Sequence, residues 1–295
     1  AGTGNLVMSG AFNWLDGADI GGSGTLTTNG VTTISSAGDL SVMQKPWINN
    51  GTTNFVSNGR LGYYTAVGSL TWTNSNTGVI NFQGTSVPIS TWGGSGHQFI
   101  NQGTLNSVGG QTFGDAGITI TNFGAIDVNS GTLTLNSGVI NSGALNLNGN
   151  SMTINGATTL NGGTLNGGAT TAGTLAMTGA LTINGLAPIV FDNIIINKSN
   201  STTQGVLAAN APVTLQNGAV LNNTGVITLN NATFTQGVGA ASSINNNLGG
   251  TLIVPAGGSA VFGAGLVLSN AGTLIQTGNL VVGTLVNAAT LDFTG

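Results

Sequence analysis

Apolar residues in this chain recur two positions apart in short runs, as in Leu133/Leu135, Leu145/Leu147, Met152/Ile154, Leu175/Met177 and Leu181/Ile183. Glycine, asparagine, serine or threonine occurs in every gap between runs. Side chains two apart lie on the same face of a strand, so each run predicts a very short strand with one buried side. No stretch shows helical spacing. One phrase, Asn-x-Gly-(small)-apolar-x-apolar, punctuates the pattern at Asn122–Val128, Asn141–Leu147 and Asn223–Leu229, with looser copies from Asn76, Asn101, Asn270 and Asn287. Glycine supplies the freedom of a tight turn and asparagine tolerates the left-handed region, so each copy reads as a turn followed by a strand. A strand every ~5–12 residues predicts a winding coil. The expected fold is all-β, a predominantly parallel right-handed β-solenoid (β-helix) forming a single elongated domain over 1–295. Its inward residues should include Leu133, Leu135, Leu145, Leu147, Met152, Ile154, Leu160, Leu181, Ile183, Val226, Ile227 or Leu229, and Leu252 or Val254.

Two regions depart from this background. Residues 1–100 hold all four Trp (Trp14, Trp47, Trp72, Trp92), both Tyr, the single His97, and Lys45 and Arg60, and are expected to form aromatic-rich coils. Between 188 and 212, the continuous runs Ile189–Phe191 and Ile194–Ile196 precede a polar stretch from Asn197 to Gln204. This region reads as an irregular strand buried on both faces followed by a loop leaving the solenoid, with regular C-terminal coils over 213–295.

Composition narrows the classes. The chain is 40% hydrophobic and only 3% charged, with 51 Gly, five Pro and no Cys, which excludes the high-charge signature of disorder. Glycine has no three-residue period, so collagen is excluded, and no apolar run reaches the roughly 18 residues of a membrane helix. Scarce charge suits a stacked fold, because like charges repeating every ~4.8 Å would repel whereas Asn, Ser and Thr can hydrogen-bond. A net charge of −4 leaves no basic footprint for nucleic acid. The start at Ala1-Gly2 suits a secreted product freed of its signal peptide, or a fragment.

The segment Phe12–Leu26, with its Trp14-Leu15-Asp16-Gly17 opening and Gly21-Gly22-Ser23-Gly24-Thr25-Leu26 close, and the segment Trp47–Phe55 resemble phrases of large bacterial surface and secreted repeat proteins. Those phrases are W-x-G-G-x-I-x-G-x-G-T-L and L-N-N-x-G-T-V-N-W. Phe191–Asn197 is similar to another phrase of such arrays. The resemblance implies an extracellular, bacterial β-helix of the adhesin or autotransporter-passenger kind, and it carries over no catalytic residue.

Site chemistry is sparse. Glu is absent, and Asp115, Asp127, Asp192 and Asp292 are scattered; of the remaining carboxylates, only Asp16 and Asp19, with Asp39, could converge, and they read as turn residues. Gly21-Gly22-Ser23-Gly24-Thr25-Leu26 places Leu where a calcium-binding nonapeptide repeat needs its Asp. His97 lies in a glycine-rich loop without a nucleophile beside it. We therefore expect no catalytic residue, no cofactor and no metal. Trp14, Trp47 and Trp72 sit in strand phrases and are read as core, with sugar stacking as the competing role, while Tyr63, Tyr64 and Trp92 are candidate glycan contacts.

The leading functional expectation is a non-enzymatic extracellular structural or adhesive solenoid, the protomer of a filament formed by head-to-tail stacking of coils. Its interface should use Leu6, Met8, Phe12 and Trp14 at one end and Leu285, Val286, Leu291 and Phe293 at the other, since both ends are apolar and strand-like. The expected partners are other copies of the chain, and glycans or cell surfaces, without nucleic acid or membrane insertion. Alternatives are a glycan-binding module, an ice-binding module built on Thr25/Thr27, Thr119/Thr121 and Thr132/Thr134, or a segment of a longer adhesin. A polysaccharide-cleaving enzyme ranks last, because no acid, base and charge-stabilising group cluster together.

Overall fold

Three short strands make one coil. In the coil that begins at Trp47 these are Trp47–Asn49, Thr52–Ser57 and Leu61–Tyr64. Each pairs in parallel with its counterpart one coil later, Trp47 opposite Trp72, Phe55 opposite Phe82 and Leu61 opposite Ile89. The computed structural model describes residues 3–15, 18–36, 41–57, 59–65, 68–84, 87–184, 187–199, 204–208 and 212–293. Among them every regular element is a strand, and none is a helix that could cross a membrane. The chain is a parallel β-solenoid, and its contacts divide it into two compact units, 1–140 and 141–295.

In the first unit, in-register stacking turns sequence repeats into columns. One inward column runs Leu6, Leu26, Trp47, Trp72, Phe99, Ile120. Trp47 and Trp72 lie face to face, 4.5 Å between centroids and 4° between planes, and Phe99 meets Trp72 edge-on at 5.1 Å. Phe55, Phe82 and Phe113 extend the aromatic packing from the other strands of the coil. Trp14, Trp47 and Trp72 are all buried, which places them in the core.

The repeated asparagine does something other than turn the chain. Asn49, Asn74, Asn101 and Asn122 are buried and occupy equivalent register positions, and none of them has positive φ. The Nδ2 of Asn49, Asn74 and Asn101 each donates to the Oδ1 of the asparagine one coil on, at 2.8 Å for all three links. The same amide also closes the corner: Asn101 Nδ2 donates to the carbonyls of Gly103 at 3.3 Å and Ala125 at 2.9 Å. A buried amide with every group satisfied is stable in an apolar interior, and one chain of such bonds fixes each coil to the next. The glycine two residues later is likewise required by space: a Cβ on Gly103 or Gly124 would run into the backbone carbonyl oxygen of Gly78 or Gly103 on the preceding coil.

The second unit repeats the device. Asn223, Asn246, Asn270 and Asn287 form a ladder with links of 2.9, 2.7 and 2.7 Å. Phe234 stacks on Phe262 at 5.2 Å. The expected inward residues of both units are buried: Leu133 and Leu135 in the first, and Leu145, Leu147, Met152, Ile154, Leu160, Leu181, Ile183, Ile227, Leu229, Leu252 and Val254 in the second. Val226 is half-buried and faces outward.

Residues 188–212 differ from expectation. Ile189–Asp192 and Ile194–Lys198 are two regular strands split at Asn193, which adopts φ 44°, and each alternates buried with half-buried positions. Gln204–Ala208, assigned above to a loop, is a strand paired on both sides with Leu181–Ile183 and Val226–Asn230. Val190 and Ile195 face outward, where β-branched side chains pack well on a pleated surface, so an apolar run here does not mean burial on both faces. Lys198 takes the register position of Asn223 and is buried, its Nζ donating to the Ser199 carbonyl at 3.0 Å. Burial lowers its amine below the usual lysine pKa.

Candidate functional site: an open coil end and an aromatic bulge

The coil formed by Asn279–Asn287 and Thr290–Asp292 repeats the inward pattern with greater exposure. Leu268 and Leu274 are 0% and 1% exposed, yet their counterparts one coil on, Leu285 and Leu291, are 39% exposed and half-buried. Leu280 and Val282, which continue the columns of Ala260 and Phe262, are also half-buried; the sequence reading missed them. Val286 stands opposite outward-facing Ser269, so it lies on the flank of the strand rather than over the core. Phe293 follows the final strand and is 62% exposed. The asparagine ladder also surfaces here, with Asn287 exposed and its Nδ2 donating to the Ala289 carbonyl at 2.8 Å.

At the first coil, Leu6, Met8 and Phe12 are half-buried at the foot of their columns. Trp14 is not available there: it is 1% exposed, and its Nε1 donates to the Ala18 carbonyl at 2.6 Å. It fills the core as Trp47 and Trp72 do, so it drops out of the expected contact surface.

The candidate glycan contacts also separate. Tyr63 is fully buried beside His97, 5.3 Å between ring centroids, and offers no surface to a sugar. Its hydroxyl has no hydrogen-bond partner among the described residues, and burial raises its pKa well above the usual tyrosine value. Tyr64 and Trp92, by contrast, are exposed and meet at 6.4 Å with ring planes 63° apart. His97 is a structural residue: the Leu70 N–H donates to Nδ1 at 3.0 Å and Nε2 reaches the Gly93 carbonyl at 3.0 Å, the tautomer with the proton on Nε2.

Asp115 serves a turn, whereas Asp19, Asp127, Asp192 and Asp292 lie in strands. Asp115 accepts from the Thr91 N–H at 2.6 Å, the Thr91 hydroxyl at 2.7 Å and the Gly117 N–H at 2.9 Å. Asp192 accepts from Asn217 Nδ2 at 2.7 Å. Asp16 and Asp39 lie outside the described residues, and Asp19 is exposed. Among the described residues, no three His, Asp or Glu side chains gather closely enough to hold a metal ion. Thr25/Thr27 and Thr119/Thr121 share one face of the first unit with Thr71/Thr73, on coils that alternate with those carrying Ile48 and Ile100, while Thr132/Thr134 lies on another face.

Comparison with family models, with curated proteins and with solved structures finds no match.

Proposed function

We propose that this chain is a non-enzymatic, extracellular structural solenoid of bacterial origin that assembles by laying the first coil of one copy on the last coil of another. The exposed apolar residues of one coil carry this reading: Leu280, Val282, Leu285 and Leu291 continue inward columns yet are half-buried or exposed, and Phe293 is exposed as well. In the stacked pair, Leu6–Met8 of the next copy pairs with Thr290–Asp292, so that Leu6 covers Leu291 and the backbone edges of the two strands join. The contact joins two different surfaces, so repetition gives an open filament unless its rotation closes a ring.

Electron microscopy of the purified 295-residue chain tests this directly. Filaments are expected from the parent and soluble monomers from the Leu291→Lys, Phe293→Pro variant, because a buried unpaired ammonium and a missing backbone donor oppose stacking. Identical filaments from that variant would overturn the proposal.

A further inference from the structure

Trp92 is the extra residue of a β-bulge. Strands Leu61–Tyr64 and Ile89–Gly93 pair regularly through Thr91 opposite Tyr63, then shift so that Gly93 faces Tyr64 and Trp92 has no opposite number. A bulge re-aims a side chain, and this one turns a tryptophan outward beside an outward tyrosine. The result is 62% exposure for Trp92 and 38% for Tyr64, where Trp14, Trp47 and Trp72 are buried.

The bulge is held from both sides. Before Trp92, the Thr91 N–H and hydroxyl bind the Asp115 carboxylate contributed by the next coil. After it, the Gly93 carbonyl accepts from the Thr65 N–H at 3.2 Å and from His97 Nε2. Gly93 itself is a seat: a Cβ there would stand 2.6 Å from Tyr64 Cδ2, so the tyrosine ring occupies the space a side chain would fill. Two aromatic rings are thus held at an angle to each other, with Trp92 62% exposed.

We infer that the Trp92–Tyr64 corner is a stacking site for a neutral saccharide. The C–H face of a sugar ring packs on an indole plane as an apolar surface, a second ring at a steep angle supplies a side wall, and the hydroxyl rim needs polar neighbours. Thr91, whose hydroxyl is bonded to Asp115, precedes Trp92 directly and supplies a polar neighbour. The charge built into the corner is the Asp115 carboxylate, which repels acidic sugars and selects uncharged ones. A pre-fixed pair of rings also binds without the entropy cost of ordering a mobile loop.

The test uses cellohexaose, maltohexaose and chitohexaose as neutral probes and polygalacturonate as the acidic one. With three tryptophans buried, acrylamide quenching of the parent chain reads mainly Trp92. At least one neutral hexasaccharide should protect it, and polygalacturonate should not. By calorimetry, Trp92→Ala and Tyr64→Ala should weaken binding at least ~10-fold, and Trp92→Phe by no more than ~3-fold, the range expected for loss and partial retention of aromatic stacking. Phe123→Ala, which removes an exposed aromatic elsewhere, should leave binding unchanged, with far-ultraviolet circular dichroism confirming that each variant folds. The inference is overturned if none of the three hexasaccharides protects Trp92 at millimolar concentration, or if the alanine variants bind like the parent. Protection that grows with protein concentration in the absence of sugar would overturn it in favour of a contact between copies.

Discussion

Asn101 accepts from Asn74 and donates to Asn122, to its own corner and to the coil beyond. Truncating it leaves buried polar groups unpaired on both neighbouring coils, at roughly 1–3 kcal/mol for each such group. Asn101→Ala should therefore lower the unfolding free energy by about 2–4 kcal/mol, measured by denaturant titration, whereas the same change at exposed Asn13 should cost less than ~0.5 kcal/mol. Tyr63 makes a prediction of the opposite sign. Its hydroxyl is buried without a partner, so Tyr63→Phe should hold or raise the melting temperature at neutral pH. Because the folded phenol titrates well above its unfolded value of ~10, its share of stability is intact below about pH 10 and is lost as the pH climbs towards the folded pKa. The gap in melting temperature between variant and parent should thus widen from pH 9 to pH 11, and a constant gap would contradict the assignment.

At the scale of the strand and its corner, the decisive property is how closely coils approach. Gly103 has an ordinary φ, and a Cβ there meets the Gly78 carbonyl oxygen, whereas a Cβ on Gly10 meets nothing within 4 Å. Replacing glycine by alanine where space and φ permit stabilises by roughly 0.4–1 kcal/mol, so Gly10→Ala should be neutral or favourable. Gly103→Ala should instead destabilise by about 1–3 kcal/mol, visible as a lower denaturation midpoint at unchanged slope. This contrast also marks what was legible in the sequence. Strand positions were readable because Leu145/Leu147 or Met152/Ile154 alternate against polar neighbours, and that period survives in a single chain. The corners were misread because Asn-x-Gly has the same letters whether the asparagine turns the backbone or bonds to another asparagine one coil away. Only register between coils separates the two. The same reasoning covers Trp92, whose outward aim depends on a bulge defined by the partner strand. Tyr63 and Tyr64 could have been separated, since Leu61 and Tyr63 share a face by strand period and Tyr64 must take the other.

Over the whole molecule, both units carry stacked aromatic rings and asparagine ladders, and Leu285 and Leu291 of the second unit are more exposed than their counterparts one coil earlier. Stacking another copy on the Thr290–Asp292 strand would bury Leu291, join backbone edges, and involve little charge, given three basic and seven acidic residues in 295. Association of that kind rests on apolar burial and backbone pairing, so it should resist salt, unlike an ion-paired contact that weakens as the Debye length shrinks from ~10 Å at 0.1 M to ~3 Å at 1 M. Sedimentation velocity of the parent chain over a wide concentration range, at low salt and at ~1 M salt, tests that most directly. The account predicts a sedimentation coefficient that rises with concentration and does so equally at both salt levels; a single monomeric boundary at every concentration, or an association abolished by salt, would contradict it.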